Sequence, residues 1–257
     1  MTIDARIPRT ALVTGGAKRL GRAIVETLAA SGFAVAIHYN RSAAEAENLA
    51  AAIRGGGAAP AVALSADLAV EAEVATLLPR AEAALGPIGV LVNNASVFAR
   101  DEWQDATRRS WDEHLEPNLR APFVLTQRMA SALPHEARGV VVNMIDQRVW
   151  SLTPHFVSYT VSKAAVWTLT QTLALALAPR VRVVGIGPGP AVPSPRQSQE
   201  DFDRQCASVP LQHGTSPPEI AEAVMAILSL PSLTGQMLAL DGGQHLQWGA
   251  FNTGIDE

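Results

Sequence analysis

Short, continuously apolar runs alternate with longer alanine-rich amphipathic segments from one end of this 257-residue chain to the other. A strand with one wet face shows a polar residue at every second position. Runs that are apolar throughout fit strands covered on both faces, the condition of a parallel sheet between two helical layers. The strand candidates are Thr10–Thr14, Ala34–Tyr39, Ala61–Ala66, Gly89–Asn93, Gly139–Ile145, Val181–Gly187 and Gln236–Asp241, and helical segments begin near Leu20, Ala43, Glu71, Thr107, His155 and Pro217. This alternation predicts an α/β fold with a seven-stranded parallel sheet and helices on both faces. With no repeat and no low-complexity linker, residues 1–257 read as a single domain.

Composition then excludes several classes of function. The chain is 48% hydrophobic and 17% charged, with formal net charge −4, which rules out extensive disorder and a strongly basic nucleic-acid binder. Its one cysteine, Cys206, cannot form an internal disulfide. Met1–Thr10 carries charges and a proline where a secretory signal needs an apolar run, and nothing approaches the roughly 18 apolar residues of a membrane span. The expectation is a soluble cytoplasmic protein, with no metal site. Of 20 Lys and Arg only Lys18 and Lys163 are lysines, and Tyr39 and Tyr159 are the two tyrosines.

One stretch departs from the rest. Between Gly187 and Pro218 stand Pro188, Pro190, Pro193, Pro195, Pro210, Pro217 and Pro218, a density that excludes a core strand or a long helix. A surface excursion and a substrate lid at about 187–218 are both open. Its place after the sixth strand favours the lid, since ligands of open α/β sheets bind beyond the strand C-termini.

The first strand runs directly into Gly15-Gly16-Ala17-Lys18-Arg19-Leu20-Gly21 and then a helix. Such a turn lets backbone N–H groups and a helix N-terminus approach a phosphate. Arg19 stands where a P-loop needs Ser or Thr, so this is not a P-loop. At the end of the second strand, where an NAD site places a carboxylate for the ribose 2′-hydroxyl, the chain reads His38-Tyr39-Asn40-Arg41-Ser42. Arg41 and Ser42 can donate to a 2′-phosphate that a carboxylate would repel, which predicts NADP(H) over NAD(H). A solvated helix-start charge is the other reading of Arg41.

Tyr159 and Lys163 stand four residues apart, on one face of a helix. A phenol of pKa about 10 is a poor acid at neutral pH, and an adjacent ammonium favours its ionised form and brings it toward working range. Taken with the glycine turn and Asn93-Asn94-Ala95, in that order along the chain, the pair makes a specific constellation.

With these pieces the sequence resembles the short-chain dehydrogenase/reductase family along essentially its whole length. Further matches are Asp67-Leu68 after the third strand, Asn118, and Pro188-Gly189 after the sixth. The resemblance implies a Rossmann-type sheet, Tyr159 as proton donor, Lys163 on the nicotinamide ribose, Asn118 organising a water relay and Asp67 near the adenine. Gly15, Lys18, Leu20, Gly21, Leu68, Pro188 and Gly189 complete the expected cofactor site.

Three departures bear on substrate. Arg19 replaces the middle glycine of the usual turn, Asp146 stands where most members have serine, and Pro190-Ala191-Val192 lacks a threonine that many carry. A serine hydroxyl donates to a carbonyl oxygen, whereas an ionised Asp146 can only accept and would oppose a developing alkoxide. A carboxylate beside the phenol suits C=N reduction, where nitrogen gains a proton; a strand-end turn residue is the alternative reading of Asp146. Thr14–Gly21, His38–Ser42, Asn93–Phe98 and Asn143–Asp146 together look like the pteridine reductase branch. That likeness implies a pterin site lined by Arg19, Ser96, Asp146, Tyr159 and Phe98, with the Phe98 ring stacked on the substrate unless it is core filler.

The expected activity is therefore NADPH-dependent reduction of a dihydropterin, with dihydrofolate a further candidate. An NADPH-dependent carbonyl or 3-ketoacyl-thioester reductase is the rival, and a non-catalytic nucleotide-sensing module is the rival of another class. Helix His155–Ala178 carries Val161, Ala164, Ala165, Trp167, Leu169, Leu173, Leu175 and Leu177 around nearly its whole circumference, more than one sheet face can cover. A homo-oligomer is expected, with the tetramer common in the family. Trp248 has no physical assignment.

Overall fold

The computed structural model describes residues 2–194 and 196–247, so Pro195 and Trp248 lie outside the described residues. Seven parallel strands, β1 (Thr10–Val13), β2 (Ala34–Tyr39), β3 (Ala61–Ser65), β4 (Val90–Asn93), β5 (Gly139–Met144), β6 (Val181–Pro188) and β7 (Met237–Leu240), form one sheet in the order β3-β2-β1-β4-β5-β6-β7. Each predicted strand is present, with ends moved by at most one residue. The order reverses between β1 and β4, and in such sheets the crevice beyond the strand C-termini at that point takes the ligand.

The strands are apolar throughout because their alternate residues feed two cores. Ala11, Val13, Val35 and Ile37 face one side, where α1 (Arg19–Ala30), α2 (Ala43–Gly55) and α8 (Pro217–Ser229) cover them with Ile24, Leu28, Leu49, Val224 and Ile227. Leu12, Ala36, Leu91 and Val141 face the other, under α3 (Glu71–Leu85) and α5 (Ala121–Ala132) with Leu77, Leu78, Leu125 and Met129. Helix starts follow local chemistry. Thr107 and Ser110 form a reciprocal capping box on α4 (Arg108–Leu115), and Ser216 with Pro217 opens α8.

Two features add detail to the sequence reading. The proline-rich segment 187–218 contains a ten-residue helix, α7 (Gln199–Ser208), because its prolines stop at 195 and resume at 210. In α6 (Val157–Ala176) the fully buried stripe is Ser158, Tyr159, Ser162, Lys163, Val166, Thr170 and Ala174, largely polar, while Val161 and Leu175 are exposed. α4 also runs into α5 through one π-helical turn, Glu116–Arg120, with Asn118 inside it, a distortion typical of functional sites.

Candidate active site

The turn after β1 is locked by close backbone packing. Gly15 has φ +61°, and a Cβ there would lie 3.1 Å from the Cα of Ala95. A Cβ on Gly21 would fall 2.2 Å from the carbonyl oxygen of Gly15, so only glycine lets α1 start this close to the turn. Thr14 Oγ1 accepts the N–H groups of Asn94 (2.9 Å) and Ala95 (3.0 Å), and Asn94 Nδ2 donates to the carbonyls of Thr14 (2.8 Å) and Gly15 (3.1 Å). Asn94 and Ala95 thus brace the turn from the β4 end.

His38 lies beneath the turn rather than at its rim. Its Nδ1 accepts the Gly15 N–H at 3.0 Å, which puts the ring proton on Nε2, where it is donated to the Ala66 carbonyl at 3.0 Å. Burial lowers its pKa and keeps the ring neutral. Its side chain is therefore spent inside the fold. The side chains of Asn93 and Leu68 also take internal partners. Asn93 Nδ2 donates to Asn143 Oδ1 across β4 and β5 at 2.8 Å, and Leu68 packs in the second core.

The charged groups of this rim are more exposed. Lys18 pairs with Glu45 of α2 at 2.6 Å. Arg19 takes the left-handed conformation (φ +52°) that glycine adopts freely, and Leu20 behind it packs on the first core. The Arg19 guanidinium reaches across to the carbonyls of Val192 (3.3 Å) and Pro193 (3.1 Å). Tyr39 packs on the first core, Asn40 and Arg41 are exposed, and Ser42 is the residue before α2. Asp67 turns back on its own loop, where Oδ1 accepts the Ala69 N–H at 2.9 Å.

Beyond β5 the two readings of Asp146 prove compatible. One carboxylate oxygen, Oδ1, accepts the N–H of Arg148 at 2.8 Å and starts a short 3-10 turn; the other, Oδ2, accepts the Tyr159 hydroxyl at 2.8 Å. Lys163, buried to 3% exposure, donates from Nζ to the Met144 carbonyl at 2.8 Å and lies 5.8 Å from the Tyr159 ring centroid. Burial lowers its pKa to about 8, an effect partly offset by the Asp146 charge. Asn118 clamps Val97, accepting its N–H at 2.8 Å and donating to its carbonyl at 3.0 Å, with Ser162 Oγ a further acceptor at 3.1 Å.

Phe98 is half-buried and makes ring contacts that sequence did not suggest. It stacks on Phe156 (4.5 Å between centroids, 11° between planes) and meets the Tyr159 ring edge-on at 4.6 Å. Ser96 beside it is exposed. Phe98, Asp146, Arg19, Pro188, Gly189 and Val192 line a cavity of about 150 Å³ between the strand ends and the segment 187–218. At its floor a Cβ on Gly189 would strike the Asp241 backbone at 2.6 Å. Sequence reasoning missed Thr14 as the double acceptor of the turn, and also Arg196, which donates to the Phe98 carbonyl at 3.2 Å from the segment 187–218. Thr14 had a signal in its place just before the first glycine; Arg196 had none. Among the described residues no group of three or more His, Cys, Asp or Glu is placed to hold a metal ion.

A glycine-locked βα turn at the switch point and a buried Tyr-Lys pair one strand further on define a dinucleotide-dependent oxidoreductase fold. The short chain dehydrogenase family model matches residues 9–203, and the chain belongs to that family. The FolM alternative dihydrofolate reductase 1 from Brucella canis, whose crystal structure is complexed with NADP, is similar at 49% identity and TM-score 0.93, covering 97% of this chain and 100% of that one. Pteridine reductase 1 of Leishmania tarentolae is 34% identical over 96% of this chain and 99% of its own. A 3-oxoacyl-acyl-carrier-protein reductase of Staphylococcus epidermidis is 28% identical over 93% and 99%.

Proposed function

We propose that this protein is an NADPH-dependent reductase of a pterin C=N bond, converting a dihydropterin to a tetrahydropterin and accepting dihydrofolate as a further substrate. The observation that carries this reading is the 2.8 Å bond from the Tyr159 hydroxyl to Asp146. A carboxylate there opposes an alkoxide but supports a nitrogen that gains a proton. The likeness to a dihydrofolate reductase of the FolM type and to a pteridine reductase supports it.

The residues of the β1 turn fit a dinucleotide. Gly15 and Gly21 leave no side chain above the turn, and no carboxylate stands at Tyr39 or Asn40 to repel a 2′-phosphate. In this reading Gly15, Lys18, Arg19, Leu20 and Gly21 receive the pyrophosphate, Arg41 and Ser42 the 2′-phosphate, Asp67 the adenine side, and Pro188-Gly189 the nicotinamide side. When bound, NADPH supplies the hydride. Tyr159 passes its proton to the ring nitrogen. Asp146 holds the hydroxyl, and Lys163 holds positive charge below the ring, favouring the tyrosinate that results. Phe98 flanks the substrate ring, with Arg19 and Ser96 at its edge, and segment 187–218 acts as the lid.

Purified protein is expected to oxidise NADPH far faster with dihydrobiopterin or dihydromonapterin than with simple ketones. Equal or better turnover of an acetoacetyl thioester would replace the pterin reading with a ketoacyl reductase. A homotetramer is part of the same proposal, supported by the exposed Val161 and Leu175 on α6. A monomer in light scattering at micromolar concentration would refute it. No helix among the described residues is long and apolar enough to cross a membrane.

A further inference from the structure

Three polar side chains that take no part in this chemistry form a continuous buried chain beside it. Asp101, His114 and Ser158 are 5%, 0% and 0% exposed. The Ala99 N–H donates to His114 Nε2 at 3.1 Å, which leaves the imidazole proton on Nδ1. Nδ1 faces Ser158 Oγ at 2.7 Å and the Ser110 carbonyl at 3.0 Å, and Ser158 Oγ donates onward to Asp101 Oδ2 at 2.5 Å. Burial holds the imidazole pKa below its ordinary value, in keeping with a neutral ring that accepts at Nε2.

The same aspartate begins α6. Phe156, just before the helix, has φ +59° and offers no capping side chain. Instead Asp101 Oδ1 accepts the Ser158 N–H at 3.1 Å, and its backbone carbonyl accepts the N–H groups of Phe156 (3.0 Å) and Val157 (3.4 Å). An aspartate 57 residues upstream thus supplies the cap. Both ends of the network touch the site. Ala99 directly follows Phe98, Ser158 directly precedes Tyr159, and the His114 ring lies edge-on to the Tyr159 ring at 5.9 Å. A fully satisfied buried polar chain resists displacement, because losing one member strands its neighbours without partners.

We propose that Asp101, acting through Ser158 and His114, is a positioning residue that sets the Phe98 ring against the Tyr159 ring and so fixes the substrate ring relative to its proton donor. The inference rests on the pterin reading for the identity of that ring. Ser158→Ala, which leaves the Asp101 bonds to the α6 amides in place, and Ser158→Thr, which keeps the hydroxyl, test it in the full-length protein. For Ser158→Ala the KM for dihydrobiopterin is expected to rise about 5-fold and kcat to fall about 5-fold, with the KM for NADPH held within about 2-fold; Ser158→Thr restores both. Unchanged constants in Ser158→Ala, or an equal rise in the KM for NADPH, overturn the proposal.

A second readout needs no substrate. In a Tyr39→Phe background Tyr159 is the one tyrosine left, and its ultraviolet titration reports on its surroundings directly. Adding Ser158→Ala is expected to move that midpoint by about half a pH unit or more, and an unmoved midpoint overturns the proposal. A wild type that binds NADPH but reduces no dihydropterin sinks the substrate reading alone, and the tyrosine titration still decides the positioning role.

Discussion

The two rims of the cavity are built on different principles. At the β1 rim the backbone packs so tightly that single hydrogen atoms are the only side chains tolerated at Gly21, and Thr14, Asn94 and His38 tie the turn to β3 and β4. At the opposite rim α7 has no fully buried residue, and the segment around it is held to the floor by arginines, Arg19 to Val192 and Pro193 and Arg196 to Phe98. A rim made of backbone suits a ligand part that never varies, such as a pyrophosphate. A rim made of long side chains over an exposed helix can adapt, and segments with few buried contacts open at lowest cost.

The contrast predicts that changes at the first rim affect every substrate equally, whereas changes at the second alter substrate preference. The largest effect lies between the rims, where Tyr159→Phe is expected to lower kcat about 100-fold or more with the KM for NADPH nearly unchanged. Retained turnover would remove Tyr159 from its role. Next, Gly21→Ala forces the Gly15 carbonyl away and is expected to cost about 1–3 kcal/mol of stability in denaturant titration, with NADPH binding weakened for all substrates alike. A variant as stable as wild type would show the first rim to be less rigid than its geometry states.

Arg41→Ala is expected to raise the KM for NADPH about 10-fold while leaving that for NADH alone, the loss of a charge-assisted bond to phosphate. Arg196→Ala, at the second rim, is expected to change the ratio of dihydrofolate to dihydrobiopterin turnover by about 3-fold without moving the KM for NADPH. Equal effects of the two arginine variants on both cofactor and substrate would erase the distinction between the rims.

The remaining prediction concerns pH. Burial lowers the Lys163 pKa to about 8 in the folded protein, from 10.5. Between these values the unfolded chain binds more protons, so stability rises with pH across that window as the cost of the buried charge is relieved. Denaturation at pH 7.5 and 10 is expected to show this rise in wild type and not in Lys163→Met. Activity runs the other way: kcat/KM is expected to fall above about pH 8 as the ammonium loses its proton.

Much of this molecule was legible before folding. The apolar runs specified seven parallel strands because burial on both faces leaves no room for alternation, and the glycine spacing marked the first turn because no other residue fits its contacts. Tyr159 and Lys163 were legible because a helix brings positions four apart onto one face, and Asp146 because its residue type is wrong for an alkoxide. Depletion of lysine and tyrosine elsewhere sharpened two of these, since Lys163 is buried beside Tyr159 and arginine cannot replace a compact ammonium there.

What only the tertiary structure decided depends on segments far apart in sequence. His38 is a strap under Gly15, its ring bridging the Gly15 N–H and the Ala66 carbonyl from β2. Phe98, which the sequence offered as a substrate-stacking ring or core filler, meets Phe156 and Tyr159, brought together by Asp101 capping a helix that begins more than fifty residues later. Local spacing encodes which face a residue takes. Which partner waits on that face is settled by packing, where one buried donor finds the one acceptor left to it.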